Sequence, residues 1–438
     1  METEELIDQL AGPDHKAAGD ALVAVGEPAV RPVLAVLCDE DSPVDWVTSA
    51  TVLRRIGLPA LAPLVEAMAA APTGEVARRC GWAHCGLEIA DLAAFVPGLG
   101  HPSPEVRANT AYILQLKGEA ALPHASSLLA LLEDPDADVR QRVSWALEGI
   151  GPGVIPLLRR IRRSRGAVRR RALEALAAVG GPSALDDRDQ ALLRRLIRVK
   201  LATETPEPMH LCGTWYAVPT GDRDAVLDAF GLSEPEPVTM RLGASAWNHD
   251  HHVSRGDHGS CRRAYVTPCL DGWTLVFGDL FPDHEEDIDP SAIHDHCRDL
   301  SRRFGAAHWY GASCGDEWTA WCVAEGGDLV RYYDVFEPDD QIGSHPAEDG
   351  YVLPHDDAFP DDAFDGIDLH DSAAFQARYF QVKKDLGIPD DCHATTFAAR
   401  ASVDPSALGP RTSVQGHAVL ALTSCGVRHG HPPGALEI

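Results

Sequence analysis

The sequence has only five lysines and four methionines, and it contains no run of about 18 apolar residues, the length a membrane-crossing helix needs. It opens Met1-Glu-Thr-Glu-Glu, where a secretory signal would be basic. Both absences lead to a cytoplasmic expectation. No GxxxxGK[ST], GxGxxG, HExxH or CxxC motif occurs, which removes the usual nucleotide loops and the commonest zinc spacings. Basic residues are scarce as well: 38 Lys and Arg face 66 Asp and Glu, for a net charge of −28. The deficit is uneven, −4 over residues 1–205 and −24 over residues 206–438. A half that acidic is a poor ligand for phosphate backbones, which argues against nucleic acid as a partner.

What is present is the composition of a folded protein. Hydrophobic residues make up 45% and charged ones 24% of 438 residues, a length that points to two or three domains. Eleven cysteines, eight of them after residue 205, read as thiols in a reducing compartment.

The first half repeats. Val44, Val76, Val106, Val139 and Val168 recur at intervals of 32, 30, 33 and 29. Each precedes an Ala/Leu-rich stretch, a glycine break and a second apolar stretch. In the clearest unit Asp136-Ala-Asp-Val-Arg caps and opens a helix through Trp145 and Leu147. Gly149 and Gly151 break it, and Val154-Ile-Pro-Leu-Leu opens the next helix. Such helix pairs bury their apolar faces only by stacking on neighbours.

The pattern D-x-D-V-R, A-L-x-x-I-G and a closing L-L resembles the HEAT-repeat family, notably its short bacterial units, over residues 12–202 in about six helix pairs. The resemblance implies an all-α solenoid and says little about activity. No catalytic motif of the HEAT-like DNA glycosylases or phycobilin lyases is present.

Residues 155–200 carry 13 basic side chains against four acidic ones. Arg159, Arg162, Arg163, Arg169 and Arg170 are expected to form an exposed face whose guanidinium forks suit carboxylates. Such a face would take an acidic protein or peptide, or the acidic second half of the same chain. A short linker, residues 203–210, then leads to a second domain at 211–438.

There the pattern changes to period 2. Strands are predicted at Thr214–Val218, near 237–247, 262–268 and 273–279, and at His308–Ser313, Glu317–Ala324, Asp328–Phe336 and Ala418–Leu422. Helices are predicted at Asp222–Phe230, Ser291–Phe304 and Ala373–Leu386. Asp271-Gly and Gly326-Gly are hairpin turns. The fold class is therefore multidomain: the α-solenoid followed by an α+β domain, an antiparallel sheet with helices on one face. Residues 337–371 read as a long acidic loop. Three stretches (Val266-Thr-Pro-Cys-Leu-Asp-Gly-Trp-Thr-Leu-Val-Phe-Gly, Leu300-Ser-Arg-Arg-Phe-Gly and Gly434-Ala-Leu-Glu-Ile) resemble an uncharacterised actinobacterial domain, which implies no activity.

Histidine, cysteine and carboxylate crowd this domain, the donor types zinc prefers. The metal candidates are His249, His251, His252, His258, His294, Asp250 and Asp257, with the first three expected in a polar loop. No cofactor is expected beyond such a zinc ion. A nucleophile would pair Cys314 with His417; the stretch after Gly416 is similar to the histidine strand of papain-like proteases, whose C-G-x-C-W motif is absent. Trp318 and Trp321, on opposite faces of a strand, are candidates for an aromatic recognition pocket.

Three functional classes remain. The first is a non-enzymatic scaffold for proteins or peptides, the second a metal-assisted hydrolase or peptide-modifying enzyme, and the third a nucleic-acid-binding repeat protein. With no complete catalytic motif and a split charge, the scaffold leads.

Overall fold

A computed structural model describes residues 3–252, 258–280, 290–354, 359–360, 362–367, 372–432, 434, 436 and 438. By its internal contacts the chain divides into Met1–Gly180 and Gly181–Ile438.

The first unit is helical. Its elements are α1 (Thr3–Gln9), α2 (His15–Val25), α3 (Glu27–Cys38), α4 (Trp46–Ile56), α5 (Leu58–Ala69), α6 (Gly74–Cys85), α7 (Pro104–Lys117), α8 (Ala125–Leu129), α9 (Ala137–Ile150), α10 (Ile155–Arg162) and the start of α11 (Val168–Ala184). The first helices of successive repeats (α2, α4, α6, α7 and α9) pack side by side, with α3 and α5 in a second row. The repeat signature has a structural role at each letter. Asp45, Thr73, Ser103 and Asp136 cap the helices they precede, satisfying donors that the first turn leaves open. Val44, Val76, Val106 and Val139 are buried anchors. The arginine after the valine reaches back to its own loop: Arg107 Nη1 donates to the His101 and Pro102 carbonyls, and Arg140 Nη1 to those of Asp134 and Pro135. Gly26, Gly57, Gly118 and Gly151 end the first helices with φ of 55–84°, a conformation that side chains resist. Gly149, expected to share that break, lies inside α9; with φ in the helical range it leaves the stop to Gly151.

The second unit begins with the end of α11 and with α12 (Asp187–Leu201), whose Leu193, Ile197 and Leu201 join the core of that unit. Then come β1 (Gly213–Val218), α13 (Arg223–Ala229), β2 (Ser233–Pro237), α14 (Met240–His252), β3 (Arg263–Leu270), β4 (Trp273–Phe277), α15 (Pro290–Phe304), β5 (Ala306–Ala312), β6 (Thr319–Glu325), β7 (Asp328–Asp334), β8 (Ile342–Gly343), α16 (Ser372–Leu386), α17 (Ala394–Ala401), β9 (Val414–Gln415), β10 (Val419–Leu422) and α18 (Ser424–His429). The sheet is antiparallel in the order β2-β10-β3-β4-β1-β5-β6-β7-β8, with β9 also on β3. Both expected hairpins form, at Asp271-Gly272 and Gly326-Gly327, all four residues at positive φ. The predicted acidic loop is interrupted by β8 and two 3₁₀ turns, Pro338–Asp340 and Pro346–Glu348.

Two expectations fail. Residues 240–252 are a helix, not part of a strand at 237–247. Met240, Gly243, Trp247 and Asp250 are buried at helical spacing, and Gly243 lies against Tyr265, where any Cβ would fall 2.1 Å from Cε2. The sheet is also covered on both faces. Trp215, Tyr265, Phe277, Tyr310 and Trp321 face α14 and α17, whereas Tyr216, Val266, Val276, Trp309 and Cys322 face α13 and α15. Strands buried on both sides are mostly apolar, and β3, buried at all eight positions, carries only Arg263 and Thr267 as polar exceptions.

Candidate functional site

Six residues after the buried valine, three successive repeats place an aromatic: Trp82 after Val76, Tyr112 after Val106 and Trp145 after Val139. That offset turns the ring about 120° away from the anchored face of the helix. Trp82 is 37% exposed, and Trp46, Tyr112 and Trp145 are half-buried. Arginines cover the rings. Arg54 lies 4.2 Å above Trp82 and Arg78 4.6 Å above Trp46, while Trp46 and Trp82 meet edge to face at 5.4 Å. Arg142 bridges Tyr112 at 5.0 Å and Trp145 at 5.1 Å. Each such contact contributes about 0.5–1 kcal/mol at an exposed site. Gly86 makes room for Arg54, whose Nε would sit 1.6 Å from a Cβ there. Beside Trp145 opens a recess of about 450 Å³, lined by Pro104, Ala108, Gln141, Arg142 and Trp145 with Glu105, Asp136 and Asp138. This face escapes a search for motifs, yet the aromatic recurring six residues after three successive anchors is a signal visible in the sequence.

The expected arginine stripe is divided in role. Arg162 Nη1 donates to the Arg169 carbonyl at 3.1 Å and Arg169 Nε to the Arg162 carbonyl at 3.0 Å, so these two half-buried residues staple the end of α10 to the start of α11. Arg170 and Arg171 clamp Glu174. Arg159, Arg163 and Arg170 are exposed.

In the second unit the metal candidates separate. His249, His251 and His252 end α14 rather than occupying a loop. Asp250 is committed elsewhere: both its oxygens accept from buried Arg263, at 2.6 and 2.8 Å. Burial pushes its carboxyl up to about 6 while the guanidinium pulls against that rise, so it stays ionised at neutral pH. Burial drives His249 down to about 4. His294 packs edge-on against Tyr332 on the other side of the sheet, and Asp257 lies outside the described residues. His251 and His252 instead join residues not nominated together: His210, His252 and Cys314 form one group and Cys212, His251 and His252 another, the donor atoms of each within 4.8 Å of one another. His258 belongs to a third group with Cys425 and His429.

Cys314 and His417 are not brought together. Ala312, just before Cys314, pairs with Gly213 at one end of the sheet, whereas His417 precedes β10 at the other, with four steps of strand order between β5 and β10. His417 Nε2 contacts Arg223 at 3.0 Å. Cys314 is exposed, and a hydrogen bond with Cys212 raises its thiol, the reverse of what a nucleophile needs. Trp318 and Trp321 do face opposite ways. Trp321 is fully buried, stacked on Tyr333 and Phe397, with its Nε1 donating to Glu348 at 2.9 Å. Trp318 donates to Asp334 at 3.0 Å. Trp321 is a core residue, which corrects its nomination as a recognition residue.

Comparison with known proteins agrees on the repeats. Residues 92–177 and 125–198 match the family of HEAT repeats, so this stretch is HEAT-like. No curated protein matches the chain, and the likeness of the second half to an actinobacterial domain gains no support. Among solved structures, the crystal structure of an engineered protein from the Northeast Structural Genomics Consortium is 19% identical, covers 40% of this chain and 87% of its own, and superimposes with a TM-score of 0.20. Among the described residues no helix is long and apolar enough to cross a membrane.

Proposed function

We propose that the repeat array is a recognition scaffold for a partner protein, which lays an extended segment along the row from Trp46 to Trp145. The observation that carries this reading is the row itself: aromatic rings at one repeat position on α6, α7 and α9, covered by Arg54 over Trp82 and by Arg142 over Tyr112 and Trp145. Tryptophan, tyrosine and arginine are the residues that dominate binding energy at interfaces. The segment would place an apolar side chain in the recess beside Trp145 and acidic residues against Arg54 and Arg142, with Arg159, Arg163 and Arg170 extending the basic track; Arg78 is already paired with Glu75. A catalytic reading has less behind it, since Cys314 and His417 stand at opposite ends of the sheet.

The experiment is crosslinking from a photoreactive residue at Gln141, which is exposed beside the recess, in the native cytosol. Partners recovered there should bind the chain carrying Trp82→Ala and Trp145→Ala at least tenfold more weakly, since each central aromatic anchor is worth about 2 kcal/mol. Unchanged binding by that variant, with its helical content intact, would reject the reading.

A further inference from the structure

Two short pairs of donors, 164 residues apart in the chain, meet in the second unit, and they are independent of the recognition row. His258-x-x-Cys261 leads into β3, and Cys425-x-x-x-His429 lies on α18. Cys425 and His429 are four apart on one helix and so share a face. The sheet brings the pairs together: β3 and β10 are neighbours with Leu422 opposite Arg263, which places the residues just before β3 beside those just after β10. The junction is tied by Thr423, whose N–H donates to the Arg262 carbonyl at 3.1 Å and whose hydroxyl donates to that of Cys261. Gly426 allows the close approach, since a Cβ there would fall 1.9 Å from the Arg262 carbonyl oxygen.

The donors converge. Cys261 Sγ lies 3.1 Å from Cys425 Sγ and 3.8 Å from His258 Nδ1, and the donor atoms of His258, Cys425 and His429 are within 4.8 Å of one another. The two imidazoles stack with centroids 4.1 Å apart. Tetrahedral zinc, with bonds of about 2.0–2.3 Å, sets its ligands about 3.3–3.8 Å apart, and the separations here bracket that range. Both thiols are buried, His258 is half-buried and His429 is exposed, an arrangement that seals an ion from the core side and leaves a path for its entry.

We propose that His258, Cys261, Cys425 and His429 form a closed zinc site. Four protein ligands leave no position for substrate, which makes it a structural centre. It fastens α18 to the entry of β3 and holds the start of that central strand in place. The gaps of two and three residues within the pairs fall in the range of small zinc modules, although here each pair mixes histidine with cysteine.

The test is metal analysis of the full chain purified without a histidine tag. The expected result is about one zinc per chain. Replacement by cobalt(II) should give the visible bands of a four-coordinate site with thiolate charge transfer. Cys425→Ser and His429→Ala should lose the bands and the stoichiometric zinc. His429→Ala removes an exposed ring, so its fold, checked by circular dichroism, should survive. His252→Ala, in the other histidine–cysteine groups, should keep both. The proposal is overturned if the wild-type chain neither carries zinc nor binds cobalt, if His252→Ala rather than Cys425→Ser removes the metal, or if mass spectrometry finds Cys261 and Cys425 joined as a disulfide in chain prepared from reducing cytosol.

Discussion

Arg107 and Asp134 close a two-pronged ion pair across 27 residues, with Nε and Nη2 each 2.8 Å from a carboxylate oxygen. The side chains are 12% and 4% exposed, and Asp134 Oδ1 also accepts from the Asp136 N–H at 2.9 Å. One repeat is thereby locked to the loop of the next. Removing one partner of a buried pair costs about 3–5 kcal/mol, because the other charge is left uncompensated. Arg107→Ala should lower the stability of the array by about that amount. Amide hydrogen exchange in α7 and α9 should quicken first, and adding Asp134→Ala should recover part of the loss.

Glu148 should make the array less stable in alkali. Burial pushes its carboxyl up to about 7 from the usual 4.5, so between those values the folded chain holds a proton that the unfolded chain has released. Its contribution is complete below about pH 4.5 and is lost as pH rises through 7, a loss of at most ~3 kcal/mol. Glu148→Gln should stabilise the array at pH 8, change it little at pH 5, and flatten the profile of denaturant midpoint against pH. A slope unaltered by the substitution would place the titration elsewhere.

His308 acts in the opposite sense in the second unit. Burial, and then the nearby His345, lower it to about 3, and its Nδ1 contacts Tyr310 Oη at 2.9 Å. The unfolded chain takes up this proton near pH 6.5 and the folded chain only near 3. The contribution is therefore complete above about 6.5 and lost as pH falls toward 3. His308→Asn should reduce the acid sensitivity of the second unit between pH 6 and 4, followed by tryptophan fluorescence.

Gly243→Ala should loosen α14 from the sheet. The added methyl would meet the Tyr265 ring at 2.1 Å, and overpacking of this kind costs about 1–3 kcal/mol. Faster exchange of the α14 amides, with the α15 amides on the other face unaffected, is the expected signature.

The repeat array was readable because its determinants are local. Caps, anchors and glycine stops sit within 15 residues of one another, and the hairpins at Asp271-Gly272 and Gly326-Gly327 rest on two residues each. The α14 segment misled because Val238, Met240, Leu242, Ala244 and Ala246 alternate as a strand would, while Met240, Gly243, Trp247 and Asp250 fit a helix equally well. Only the Tyr265 ring, brought by β3, decides between the two periods.

The candidate sites divide along the same line. The sequence by itself determined the stacked helix pairs, the aromatic position shared by three repeats and the antiparallel hairpins, since each depends on neighbours along the chain. It supplied the histidines and cysteines but not their grouping. Tertiary structure decided that Asp250 serves Arg263, that Trp321 is core, and that His258 and Cys261 meet Cys425 and His429. Those partners lie 13 to 171 residues apart, and pairing at that range is set by strand order, which no local pattern encodes.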